Sequence, residues 1–182
     1  MWLQQVHGCE VIDSMAHYEG VAADGCMTVE PNQVCAILTA DCLPVLLCDH
    51  NATVVAAVHA GWRGLYSGVI QRAVAQMGVT PDSIMAWLGP AISSQYYAVN
   101  EDFRNQFLQQ SSVYSEAFVF NKQWHADLYM IARIQLNQSM VQDVYGGEFC
   151  TYKDEQRFYS YRRAGHTGLA AGRQASVIWL ED

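Results

Sequence analysis

Short apolar runs bounded by turn residues dominate the pattern of hydrophobic and polar positions along the chain. Three of these runs stand close together between residues 34 and 58, with Asp, Asn and Pro separating them. Runs that are apolar throughout, without alternation, are typical of strands covered on both faces. The predicted strands are Val34–Leu38, Leu43–Cys48, Thr53–Val58, Ile84–Leu88, Phe158–Tyr161 and Ala175–Leu180.

Apolar residues recur with helical spacing in longer segments between these strands. One segment is stopped by Gly78, and a later one carries Leu128, Ile131 and Leu136 on one face. The predicted helices are Leu65–Met77, Glu101–Gln109 and a third from about Ala126 to Met140. Because strands cluster first and later mix with helices, the sequence predicts a mixed α/β (α+β) fold with a sheet core.

The composition is that of a folded globular protein, with 51% hydrophobic and 15% charged residues. A chain of 182 residues is predicted to form one domain, residues 1–182. The formal net charge is −8, and the chain has no cluster of Lys and Arg. A nucleic-acid groove needs basic residues to displace counterions, so no nucleic-acid partner is expected.

The sequence also predicts a cytoplasmic protein without a membrane partner. No apolar run reaches the roughly 18–20 residues of a membrane span, and the first residues lack the pattern of a signal peptide. The six cysteines contain no Cys-x-x-Cys pair, so they are expected to be reduced and mostly buried. Cys42 is the exception, because Asp41 precedes it and Pro44 should place residues 41–44 in a bend at a sheet end.

One thiol and two imidazoles stand next to glycine or proline where strands are predicted to end. They are Cys42, His7 and His59. A Cys and two His can fill three corners of a tetrahedron around zinc, and an open fourth corner distinguishes a catalytic site from a structural one. Copper(I) would accept the same donors. The other histidines are weaker candidates, since their neighbours indicate loop or helix-face positions: His17, His50, His125 and His166.

A glycine-bearing turn follows His59 and precedes a predicted helix. Gly61 and Gly64 in this turn would expose backbone N–H groups suited to an anion, and Arg63 adds a planar donor fork suited to phosphate or carboxylate. The alternative is that both glycines merely permit a tight turn and that Arg63 is solvated.

Longer motifs match a known protein family over nearly the whole chain. They are Trp2–Gly8, Ala23–Gly25, Thr39–Val45, His59–Gly64, Leu88–Pro90, Trp124–Leu128 and Phe158–Arg163. With these motifs the chain resembles the YfiH family. Its members have been called laccase-domain or polyphenol-oxidase-like proteins, and also purine nucleoside phosphorylases.

The resemblance implies a four-layer α/β/β/α mixed-sheet sandwich with His7, Cys42 and His59 as metal ligands. The implied activities are phosphorolysis of adenosine, inosine and methylthioadenosine, with adenosine deamination, or copper-dependent oxidation of phenols. The expected partners are therefore small molecules, and the expected state is a monomer or homodimer. Family members usually carry several dozen residues before the Gln-Val-His-Gly motif, so this chain is expected to lack that segment. A basic residue near the end, Arg173, is also displaced from the family pattern.

Four functional hypotheses follow. The first is a zinc enzyme for purine nucleosides, in which the residues expected to carry catalysis are His7, Cys42, His59, Arg63 and Asp41. The residues expected to bind substrate or phosphate are Arg63, Gly61, Gly64 and Asp24, and either aspartate could instead hold a ligand histidine.

The second hypothesis is a copper polyphenol oxidase that uses the same Cys/His site. A conventional laccase is not expected, because the chain has six histidines and no His-x-His pair. The third makes Cys42 a nucleophile activated by His59. The fourth is a metal-binding or partner-binding domain without catalysis.

Overall fold

The structure, a computed structural model, describes residues 2–15 and 20–182. In the described ranges the strands are β1 (Val11–Asp13), β2 (Gly25–Thr28), β3 (Cys35–Thr39), β4 (Leu43–Asp49), β5 (Val55–Ala60), β6 (Ile84–Leu88), β7 (Ala98–Val99), β8 (Phe118–Asn121), β9 (Gln123–Ala126), β10 (Asp143–Gly146) and β11 (Gln174–Ile178). The helices there are α1 (Trp62–Tyr66), α2 (Val69–Gln76), α3 (Glu101–Gln110), α4 (Leu128–Gln138) and α5 (Tyr161–Thr167).

A six-stranded mixed sheet in the order β1-β2-β5-β4-β6-β10 forms the centre of the fold. The inner pairs are antiparallel, whereas β1 and β10 add to the two edges as parallel strands. Every residue of β5 is buried, as its unbroken apolar sequence predicts. The predicted strands of this region are therefore confirmed, although β5 begins two residues later than expected and extends through His59.

Both faces of this sheet are covered. On one face, side chains of α2, α3 and α4 such as Ile70, Phe107 and Leu136 complete the main hydrophobic core. On the other face, the antiparallel pair β3–β11 encloses a smaller core that includes Cys26 and Cys35. Helix, sheet and second sheet thus lie in layers, which confirms the mixed α/β class. The fourth layer of the expected sandwich stays a prediction.

Two predicted helices differ from the observed ones in their bounds. The segment expected as Leu65–Met77 is two helices, α1 and α2, because Gly68 adopts a left-handed conformation with φ of 81° between them. Helix α4 begins after Ala126, since the preceding residues pair as β9 between β7 and β8. The Asp127 side chain caps α4 by accepting a hydrogen bond from the Met130 N–H.

Two expectations about strands were wrong. The segment Phe158–Tyr161 is not a strand, because the Ser160 hydroxyl accepts a hydrogen bond from the Arg163 N–H and starts helix α5. The bend at residues 41–44 is shorter than expected, since Pro44 lies inside β4 opposite His59. The sheet accommodates this proline near the beginning of the strand, where its carbonyl still accepts a hydrogen bond from the Gly89 N–H at 2.9 Å.

The helices in the described parts of the chain are all too short or too polar to cross a bilayer.

Candidate metal centre

The structure brings His7, Cys42 and His59 together at one end of the central sheet. One ligand atom from each of the three side chains lies within 4.8 Å of the other two. His7 comes from the loop before β1, Cys42 from the bend before β4, and His59 from β5. Their burial is graded, since His7 is exposed, Cys42 is half-buried and His59 is only 3% exposed. We refer to these three residues as the triad.

Asp24 lies beneath the triad and orients its most buried member. Its carboxylate and the Nδ1 atom of His59 share a hydrogen bond of 2.7 Å, and both side chains are buried. With Nδ1 engaged, Nε2 is the nitrogen left to contact an ion, as in the carboxylate–histidine–metal arrangement. Burial by itself raises the pKa of Asp24, but the hydrogen bonds from His59 and from backbone amides lower it below its usual value.

The same carboxylate also shapes the loop that carries His7. Three consecutive backbone N–H groups, those of Val6, His7 and Gly8, donate to Asp24 at 3.2, 2.9 and 2.6 Å. This convergence holds His7 at φ of 60°, a region that residues with a Cβ seldom adopt. Of the two roles considered for Asp24, the geometry therefore favours the support of histidines over contact with ribose hydroxyls.

The pKa shifts of Cys42 and His59 are those expected of a site that can bind a cation. Burial opposes ionisation of the Cys42 thiol, yet hydrogen bonds from His59 and His7 lower its pKa to about 7. Burial likewise disfavours a charged His59, whereas its hydrogen bonds to Asp24 and Cys42 raise its pKa to about 9. The neighbouring imidazoles thus favour ionisation of the Cys42 thiol, and a divalent cation can take the place of their protons. A thiolate and two imidazoles are also donors that zinc prefers.

Gly61 leaves space against the triad that a side chain would fill. A Cβ at this position would lie 3.0 Å from the Cys42 Sγ and 3.3 Å from the His7 Cδ2. Gly64 has a different role, because a Cβ there would lie 2.9 Å from the Gly8 carbonyl oxygen. Of the two glycines in the predicted anion-binding turn, Gly61 faces the site and Gly64 allows the His7 loop to pack on α1.

Asp41 connects the Cys42 bend to the C-terminal part of the chain. Its side chain is buried and accepts hydrogen bonds from the Thr151 hydroxyl at 2.6 Å and from the Arg162 N–H at 2.7 Å. Its backbone φ is 91°, an uncommon value for a residue with a Cβ. These contacts place the start of α5 beside the bend that carries the thiol. Asp41 is accordingly in a position to fix the bend.

Two residues that sequence reasoning did not assign to the site, Tyr97 and Arg162, also approach it. The Arg162 guanidinium lies 5.3 Å from the centre of the Tyr97 ring. Burial raises the pKa of the Tyr97 phenol, and the charge of Cys42 acts in the same direction. Arg162 lies in a motif that carries the family resemblance, so that motif was its signal. No pattern in the sequence marks Tyr97.

The remaining histidines lie elsewhere or outside the described residues. His50 pairs with Asp143 at 3.0 Å, and the rings of His125 and His166 hydrogen-bond to the Gln123 carbonyl and the Tyr152 hydroxyl. His17 falls outside the described residues. Within residues 2–15 and 20–182, no other group of three His, Cys, Asp or Glu side chains is arranged to hold a metal ion.

Comparison with known proteins gives this site a family context. The family model described as multi-copper polyphenol oxidoreductase laccase matches residues 1–181. The chain belongs to this family. The match confirms the resemblance to the laccase-like YfiH proteins. Among relatives, the chain is 44% identical to a purine nucleoside phosphorylase of Pseudomonas aeruginosa over 184 residues, which cover 100% of this chain and 74% of that one.

Another relative is the purine nucleoside phosphorylase YfiH of Escherichia coli, 42% identical over 99% of this chain and 73% of its own. Two crystal structures are similar over 100% of this chain. A Neisseria meningitidis protein has a TM-score of 0.93 and 42% identity, with 74% of its own chain covered. YlmD from Geobacillus stearothermophilus has a TM-score of 0.86 and 26% identity, with 73% covered.

Proposed function

We propose that the protein is a metal-dependent purine nucleoside phosphorylase that acts on adenosine, inosine and methylthioadenosine and also deaminates adenosine. The observation that carries the proposal is the triad with its exposed His7 side, in a chain that shares 42–44% identity with relatives named purine nucleoside phosphorylases. The substrates are accordingly small molecules. The single domain, the monomeric or homodimeric state and the cytoplasmic location stay predictions.

Zinc is the metal that we assign to the triad. The donor set, the carboxylate behind His59 and the space at Gly61 support this assignment. When bound, Zn²⁺ would supply Lewis-acid activation of water or of a substrate oxygen. His7, Cys42 and His59 would hold the ion.

Phosphorolysis requires the chain to bring an anion to the sugar. An oxygen of inorganic phosphate bonds to C1′ of the ribose while the bond between C1′ and the base nitrogen breaks. The electron pair of that bond leaves with the base, which takes up a proton. Arg63, which is exposed and two residues from Gly61, would hold phosphate by N–H donation, and Asp41 would keep the Cys42 bend in place. In deamination, water instead replaces the amino group of adenosine and ammonia leaves.

The test is phosphate-dependent release of base by protein purified metal-free and then loaded with zinc. We expect hypoxanthine release from inosine to require both zinc and phosphate, with ammonia release from adenosine followed separately. Cys42→Ala should abolish zinc retention and both activities, whereas Cys48→Ala, which removes a thiol outside the triad, should leave them unchanged. Absence of phosphate-dependent base release from the loaded wild-type protein would overturn the proposal.

A copper-dependent polyphenol oxidase is the second candidate, because the matching family model carries that description and copper accepts Cys and His donors. Metal analysis after metal-free purification separates the two candidates. Stoichiometric copper retention with fast oxidation of phenols would favour the oxidase. Zinc retention with slow oxidation would favour the phosphorylase.

A further inference from the structure

Arg63 and Arg162 differ from the neighbouring Arg163 because their guanidinium groups are available to bind a ligand. In the part of the chain that the structure describes, no carboxylate oxygen lies within ion-pairing distance of Arg63 or Arg162. Arg163, next in sequence, is fully engaged, since its guanidinium donates to the carbonyls of Thr151, Tyr152 and Phe158. Arg163 therefore holds the chain in place, whereas Arg162 is free to meet a ligand.

Arg162 is held at the site by its backbone. Its N–H donates to the carboxylate of Asp41, the residue before Cys42, at 2.7 Å. One guanidinium nitrogen makes a long contact of 3.4 Å with the Tyr96 carbonyl, and the group lies over the ring of Tyr97. A guanidinium carries five N–H donors, so most of them have no acceptor among these contacts. The side chain is half-buried, which strengthens its electrostatic interactions.

Arg63 lies on α1, whereas Arg162 lies on α5. Arg63 follows Trp62, stacks on that ring at 4.6 Å, and is two residues from Gly61, which borders the triad. A Cβ at Gly61 would lie 3.0 Å from the Cys42 Sγ, and the charges of Cys42, Arg162 and Arg63 all act on the pKa of the Tyr97 phenol. Arg63 on α1 is thus linked to the triad through Gly61, and Arg162 on α5 is linked to it through Asp41, the residue before Cys42.

We propose that Arg162 and Arg63 together bind the inorganic phosphate of the reaction, with the Tyr97 hydroxyl as an additional donor. This inference rests on the proposed phosphorylase function and adds two residues to its phosphate site. Two arginines approaching from different elements can each donate to phosphate oxygens, and this arrangement fixes the anion beside the triad. Arg162 thereby determines the affinity for phosphate, whereas the triad holds the metal.

Calorimetric titration of inorganic phosphate into zinc-loaded protein tests the assignment without turnover. We expect Arg162→Gln and Arg63→Gln each to raise the dissociation constant for phosphate at least about tenfold. Arg162→Lys keeps the charge but loses the fork, so it should recover part of the affinity. The matched control is Arg72→Gln, because Arg72 is exposed on α2 and pairs with Glu10. It should bind phosphate as the wild type does.

Steady-state kinetics give a second readout. In Arg162→Gln the KM for phosphate should rise while the KM for inosine and the zinc content stay at wild-type values. Wild-type phosphate affinity and KM in Arg162→Gln would overturn the inference. That outcome with intact phosphate-dependent base release would leave the proposed function standing. Conversely, arginine-dependent phosphate binding without any base release would support the phosphate site and refute the phosphorylase function.

Discussion

Asp24 contacts both histidines of the triad and is not itself one of the three residues grouped to hold a metal ion. One carboxylate oxygen hydrogen-bonds to the His59 ring. The carboxylate also accepts hydrogen bonds from the N–H groups of His7 and Gly8. Sequence reasoning placed Asp24 near the site but could not distinguish these contacts from contact with a ribose. The distinction depends on burial and on the left-handed turn at His7, and both depend on the packing of the N-terminal loop against residues 21–24, just before β2.

Replacement of Asp24 by Asn should weaken metal binding, because it disturbs the hydrogen bonds to His59 and to the loop that carries His7. The amide keeps the size but loses the charge that favours His59 with its Nδ1 protonated. We expect zinc affinity to fall about 10–100-fold, the usual effect of removing such a partner. Competition with a chromophoric chelator measures this change. Asp82→Asn, at an exposed position, is the control, and equal zinc affinities in the two variants would contradict this role.

Gly61→Ala should affect the site without straining the backbone. Gly61 has a φ of −67°, which alanine adopts readily, but the new methyl group would crowd the Cys42 sulfur. We expect weaker zinc binding and slower base release with little change in the midpoint of thermal unfolding. Gly165→Ala provides the comparison, since no atom lies within 4 Å of its added Cβ. Unchanged zinc affinity in Gly61→Ala would show that the space at this position is not needed.

Alkylation of Cys42 should distinguish a metal ligand from a nucleophile. In metal-free protein its pKa of about 7 leaves much of the thiol ionised at neutral pH, so iodoacetamide should modify it before the other half-buried cysteines. Saturating zinc should protect it. Peptide mapping by mass spectrometry measures both rates. Equal reactivity with and without zinc, together with loss of hydrolytic activity on alkylation, would support the cysteine-nucleophile hypothesis instead.

At the scale of elements, the sequence predicts strands that are continuously apolar. It misses elements that form only through contacts with other parts of the chain. The runs that became β4, β5 and β6 can be recognised without their partners, because each is almost continuously apolar in sequence. Strand β10, Asp-Val-Tyr-Gly, lacks that signal and exists through pairing with β6. The strand expected at Phe158–Tyr161 is absent for two reasons: the Ser160 hydroxyl caps α5 locally, and the Arg162 N–H donates to Asp41, a contact between distant parts of the chain.

The turn between β4 and β5 offers a test at this scale. Asp49 is 2% exposed, and its carboxylate accepts hydrogen bonds from the N–H groups of Asn51, Thr53 and Val54 and from the Thr53 hydroxyl. Asp49→Ala removes the acceptor of all four donors, of which the Val54 N–H belongs to a buried residue. We expect the free energy of unfolding to fall by about 2–3 kcal/mol, measured by urea denaturation.

The pH dependence of this turn has a definite sign. Burial alone raises the pKa of Asp49, but the hydrogen bonds from Val54 and Thr53 lower it below 3.8. The ionised carboxylate therefore stabilises the fold above about pH 3.8, and this contribution is lost as the pH falls through the lower folded-state pKa. The stability difference between wild type and Asp49→Asn should shrink in that window. A constant difference from pH 7 to pH 2 would contradict the assignment.

At the scale of the whole molecule, the residues of the triad come from three separate stretches of chain. The pairing of strands in the sheet does not by itself bring all three together. Motif recognition found His7, Cys42 and His59, since each stands in a distinctive short pattern. It did not supply the surroundings of the open side, because Tyr97 and Arg162 come from loops and a helix whose positions depend on the packed core. Short motifs thus predicted three side chains that lie together in the structure, whereas the arrangement of the residues around them required the complete fold.

A metal that bridges these stretches should also stabilise the complete fold. A ligand that binds only the native state at 1,000 times its dissociation constant adds about 4 kcal/mol to the free energy of unfolding. For a chain of 182 residues, each kcal/mol raises the unfolding midpoint by about 2–4 °C, so zinc should raise it by about 10 °C. Differential scanning calorimetry of chelator-treated and zinc-loaded protein measures the shift. In Cys42→Ala the zinc-dependent shift should vanish while the metal-free midpoint stays close to that of the wild type. A zinc-dependent shift of wild-type size in Cys42→Ala would place the stabilising ion elsewhere in the molecule.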